Sequence, residues 1–153
     1  CSSDLERKIF MAKVTMFALC DSVNNVQGPQ GRMLTTLVEP RVVLRPLYIP
    51  GNFSFGVTVG VCGVDLDKPA SILVKILGPG GDTAYQLGEL TVPASGGDST
   101  LPRTYHGFMF NMDIRNMPVK AEGTYKFVLT VNGEDLEAQE IPIFRGVADD
   151  ARN

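Results

Sequence analysis

The chain has no tryptophan, a single histidine, His106, and only three cysteines, Cys1, Cys20 and Cys62. Each shortage removes a chemistry. Zinc sites take three or four His, Cys or carboxylate ligands, and scattered cysteines with one imidazole do not supply such a set. A Ser-His-Asp or Cys-His pair would have to use His106, which follows Arg103-Thr104-Tyr105 at the head of a strand, where a rim histidine is the simpler reading. No tryptophan platform favours sugar binding. The charge balance is also thin: a formal net charge of −3 and a pI near 5.1 argue against a general binder of phosphate backbones. No apolar run reaches the roughly 18 to 20 residues of a spanning helix. Cys20 and Cys62 lie in strand-like runs where cysteine packs as a small hydrophobe; a cross-sheet disulfide between them is the alternative.

What is present is period-two patterning. At 153 residues with 44% hydrophobic and 20% charged residues, the chain suits one folded domain with a single core. Tyr125, Phe127, Leu129 and Val131 occupy every second position, with Lys126 and Thr130 between them, and the run ends in Asn132-Gly133. Asn-Gly suits a two-residue type I′ turn, whose central residues both need φ above zero, so this is a closing hairpin. Phe53, Phe55, Val57, Val59 and Val61 alternate against Ser54, Gly56, Thr58 and Gly60, and the two glycines imply close approach by another backbone or a bulky ring.

Further strands are expected at Lys13–Cys20, with Val14, Met16, Ala18 and Cys20 on one face and Lys13, Thr15, Phe17 and Leu19 on the other, and at Met33–Val38, Ile72–Leu77, Thr83–Val92 and Tyr105–Ile114. Asp21–Gly31 reads as a loop, Val42–Ile49 as a Pro46-broken edge strand, Gly78–Asp82 as a hairpin turn and Met117-Pro118 as a corner. Pro93–Pro102, with Ser95-Gly96-Gly97-Asp98-Ser99, is the most loop-like stretch. About eight or nine strands and no helical stripe give an all-β fold, a two-sheet antiparallel, immunoglobulin-like β-sandwich; a small closed barrel is the alternative. Tyr125, two residues after Gly123, suits a tyrosine corner or an ordinary core tyrosine with its hydroxyl at the rim.

Residues 11–146 read as the domain, 1–10 as an extension and 147–153 as a tail. Met11-Ala12-Lys13-Val14 looks like a bacterial start, so residues 1–10 are expected to be a misassigned start or a vector remnant. Taken literally, Cys1-Ser2-Ser3 would instead be the lipidated end of a surface lipoprotein.

Two stretches carry a resemblance: Met11 to Gly31, with Phe17-Ala18-Leu19-Cys20-Asp21-Ser22-Val23, and Glu122-Gly123-Thr124-Tyr125-Lys126-Phe127 with Val131-Asn132-Gly133-Glu134. The chain resembles an uncharacterised bacterial family of compact β-sandwiches that open on a strand ending in Cys-Asp or Ala-Asp and close on a Gly-x-Tyr strand and an Asn-Gly or Asp-Gly hairpin. That resemblance implies the fold and a bacterial, cytoplasmic origin. It supplies no catalytic residues.

The functional expectation is a non-catalytic binding or assembly module, bacterial or prophage-encoded, with no cofactor, metal or nucleic acid and with a protein partner or a second copy. Tyr48, Phe53, Arg103, Tyr105 and His106 are the candidate contact residues, because aromatic and arginine side chains dominate interface energies. Val42–Ile49 is the candidate edge for a homodimer. Calcium at Asp65 and Asp67, or at Glu134 and Asp135, is set against solvated turn acids. The alternative function is a surface-anchored sandwich that binds a small ligand or glycan.

Overall fold

Alternating apolar side chains build two antiparallel sheets in the computed structural model, which describes residues 11–147. The strands are β1 (Lys13–Gln27), β2 (Met33–Arg41), β3 (Gly51–Cys62), β4 (Ala70–Leu77), β5 (Thr83–Val92), β6 (Gly107–Val119), β7 (Gly123–Val131), β8 (Glu134–Asp135) and β9 (Gln139–Ile143). One sheet has the order β2-β1-β3-β6; the other has the order β5-β4-β7, with β8 and then β9 on the far side of β7. β3 and β6 in one sheet with β4, β7 and β9 in the other is the B-E against C-F-G division of an immunoglobulin-like sandwich.

The core lies between the sheets. Phe55, Val57, Val59 and Val61 of β3 join Ile72, Val74 and Ile76 of β4 and Tyr125, Phe127 and Leu129 of β7 in one buried cluster. Phe17 of β1 meets Phe127 at 5.1 Å between ring centroids. Each such side chain contributes roughly 1.5–3 kcal/mol by leaving water, and the faces opposite carry the polar residues.

Four local expectations are corrected. Residues 21–27 are strand, not loop: β1 continues to Gln27, paired with β2 from Ser22↔Val38 to Gln27↔Met33. This segment is exposed on both faces beyond Val23, so nothing demands the apolar alternation by which a strand is recognised. Val42–Ile49 is not a strand. Leu44 makes a single parallel bridge to Ile143, donating to the Pro142 carbonyl at 2.9 Å and accepting from Phe144 at 3.0 Å. The segment thus covers the outer side of β9 before a cis Ile49-Pro50 bond leads into β3. Met117-Pro118 is not a corner either, since Pro118 pairs with Asn52 inside β6. Proline needs no donor there because β6 is an outer strand.

The last correction concerns faces. The β1–β3 register shifts between Val14 and Met16, and this bulge puts Val14, Phe17 and Leu19 on the core side, opposite Val61, Val59 and Val57. A strict alternation would have separated Val14 from Phe17. Met16, Ala18 and Cys20 consequently lie outward, opposite Gly60, Thr58 and Gly56. Cys20 and Cys62 are free thiols. They sit at levels six residues apart along β3, roughly 20 Å, which rules out a bond that requires Cα atoms about 4.4–6.8 Å apart.

Candidate functional site

The five residues chosen from the sequence fall into two groups. Tyr48 is 80% exposed and sits just before β3, whereas Phe53, near the start of β3, is half-buried and stacks on Phe55 at 6.1 Å. Arg103 and Tyr105 form a short 3-10 turn ahead of β6, with both side chains exposed. The β3–β6 register puts Phe53 beside Met117 and Cys62 beside Gly107. The two groups are therefore at opposite ends of the sandwich, about 30 Å apart at 3.3 Å per residue. The structure does not bring them into one patch.

His106 is a loop clamp. Carbonyl oxygens only accept, so its Nε2 carries the proton and donates to the carbonyls of Asp98 at 2.8 Å and Leu101 at 3.1 Å. Asp98 Oδ1 in turn accepts from the Thr100 amide at 2.9 Å and the Thr100 hydroxyl at 2.5 Å. These two bonds, the hydroxyl first, hold the Asp98 carboxyl below its ordinary value. The histidine thereby ties the 93–102 loop to the base of β6.

The loop acids are spent on turns. Asp65 Oδ1 accepts from the Asp67 amide at 3.0 Å, and Asp135 Oδ1 from the Thr130 hydroxyl at 2.6 Å. Among the described residues no three His, Cys, Asp or Glu side chains converge on a metal position.

Tyr125 is a tyrosine corner. It is 2% exposed, and its hydroxyl donates to the Ala121 carbonyl at 2.8 Å, tying the head of β7 to the preceding turn. Gly123 has φ 148°, and a side chain there would meet Pro79 Cγ at 2.7 Å, so the Gly-x-Tyr spacing is steric in origin. A depression of about 310 Å³ lies beside this corner, lined by Pro79, Asp82, Pro118, Lys120 and Tyr125 among others. With the Tyr125 hydroxyl already committed, it offers little convergent polar chemistry.

The surface that sequence reasoning missed is the outer half of the β1–β2 hairpin. β3 pairs with β1 only as far as Cys20. Beyond that level each strand has the other as its sole neighbour among the described residues, and every strand residue from Asn24 to Thr36 is exposed. A two-stranded ribbon of this kind is marginal by itself in water. Val26, Met33 and Leu34 are 45, 66 and 44% exposed. At its base Asp21 binds Arg41 through bonds of 2.7 and 3.1 Å, which raise the guanidinium above its ordinary pKa. From Ser22 to Val38 the only charged residue in seventeen is Arg32, where the chain-wide 20% would put three or four. That scarcity of charge was the available signal.

No protein-family model matches this chain, and no curated protein matches it. Among the described residues no helix is long and apolar enough to cross a membrane.

Proposed function

We propose that this protein is a non-catalytic sandwich that acts through contact, a binding or assembly module of a bacterial or prophage-encoded system, and that the β1–β2 arm is its contact surface. The observation that carries this reading is the arm itself: it is exposed, nearly uncharged and, among the described residues, supported by no third strand. Exposed apolar side chains on an unsupported ribbon gain more from a partner than the same residues gain on a packed sheet. The bacterial setting rests on the resemblance at Met11–Gly31, Glu122–Phe127 and Val131–Glu134. Tyr48 at one end of the sandwich, and Arg103 and Tyr105 at the other, are then secondary contacts.

The test is a shortened arm, in which an Asn-Gly turn joins Val23 directly to Leu37. The tagged variant and tagged wild type are expressed in the same bacterial host with an untagged copy, and the captured chains are quantified. The variant should fold, with unchanged melting, and lose what the wild type captures. Equal capture of the same chains by both would dismiss the arm as a contact surface.

A further inference from the structure

Among the described strands, three of the four outer borders of the sheets carry features that hinder further strand pairing. The segment through Leu44 covers β9. β6 keeps an unbroken register with β3 from Gly107 to Ile114, but that stretch carries the charge of Asp113, and beyond it the strand bulges before Met117, with Asn116 at φ 53° and Pro118. β5 is bulged twice against β4. Bulges, prolines and covering segments are the usual means of blunting an exposed edge. β2 has none of these from Met33 to Val38: its register with β1 is unbroken, and the stretch Met-Leu-Thr-Thr-Leu-Val holds no charge and no proline. The blunting devices begin only at Glu39, with φ 53°, and Pro40.

We propose that β2 pairs antiparallel with β2 of a second copy, about a two-fold axis normal to the sheet at Thr36, so that four strands from each copy form one continuous sheet. The proposal rests on the contact reading above and names the occupant. Half of the backbone N–H and C=O groups of β2 point away from β1, and an identical strand satisfies both sets at once. A two-fold normal to the sheet preserves faces, so a residue on the axis meets its own copy. With Thr36 on the axis, Leu34 of each chain lies opposite Val38 of the other, and these two side chains are 44 and 36% exposed. Centring on Thr35 would instead set Arg32 against Val38. Cross-strand apolar pairs stabilise a sheet, and like charges directly opposite each other destabilise it. Here the antiparallel copies meet across the five uncharged residues Leu34 to Val38, Met33 of each lies opposite Glu39 of the other, and the Arg32 end of one strand runs beside the Glu39 end of the other. The ends are complementary.

The test is light scattering coupled to size exclusion across the micromolar range, on the full chain. Wild type should approach twice the chain mass as concentration rises. Thr36→Lys, an exposed change that leaves melting of the dilute protein unaltered, should stay at one chain mass because two ammonium groups would face each other on the axis. An equimolar mixture of Thr36→Lys with Thr36→Glu should return to twice the mass. In a Cys1→Ser, Cys62→Ser background, Thr36→Cys treated with copper-phenanthroline in air should give a disulfide-linked dimer in higher yield than Thr35→Cys. A wild type that stays at one chain mass, a Thr36→Lys variant that dimerises like wild type, or preferential cross-linking through Thr35→Cys would each overturn the proposal. A monomeric wild type whose captured chains still depend on the arm would sink self-pairing alone; capture unaffected by shortening the arm would sink the contact role.

Discussion

The Tyr125 hydroxyl has one partner, the Ala121 carbonyl, at a position almost sealed from water. Tyr125→Phe keeps the ring in the core and orphans that carbonyl, so it should cost about 1–2 kcal/mol in urea unfolding. Cys20 reports a different balance. Burial, then the charges of Asp21 and Asp113, raise its thiol above the ordinary 9.0. A raised folded-state value means that this group's contribution is fully present below the unfolded value and is lost as pH rises through the folded one. Stability should therefore fall as pH climbs past about 9.0, and Cys20→Ala should flatten that decline in urea titrations at successive pH values. The sign is opposite at Asp98, whose carboxyl is held low by Thr100. The Thr100 amide resonance should titrate with Asp98 below the ordinary 3.8, losing its hydrogen bond only as pH falls through that lower value.

Among the elements, those with a buried face could be read from the sequence, whereas of the exposed hairpin Met33–Val38 could be read and residues 21–27 could not. β3, β4 and β7 alternate because one side of each enters the core, and Asn132-Gly133, at φ 51° and 81°, forms the turn its residue types require. Gly133→Ala should cost about 1 kcal/mol, since alanine resists positive φ. The outer half of β1 gave no alternation because it has no inside, and Pro40 and Pro118 resembled strand ends because an outer strand tolerates proline. The bulge at Val14/Met16 changed faces with no mark in residue type. Of the candidate contact residues, the side-chain chemistry was legible but the shared location was not, because strand order decides which ends are neighbours. His106→Ala should leave the unfolding free energy within about 1 kcal/mol of wild type while exposing the 93–102 loop to protease nicking, which mass spectrometry of the fragments would locate.

At the scale of the whole molecule, coupling between association and folding offers a further check. A chain stabilised by its own copy has a melting temperature that rises with protein concentration; wild type should show this rise and Thr36→Lys should not. A polymer grows only where each unit has two places to be joined. The covered flank of β9, the doubly bulged β5 and the charged, then kinked and proline-bearing β6 leave β2, among the described strands, as the place best suited to joining, and symmetric pairing uses it up on both sides at once. Growth then stops at a pair, and a ribbon that in many proteins would seed fibres becomes a self-terminating joint.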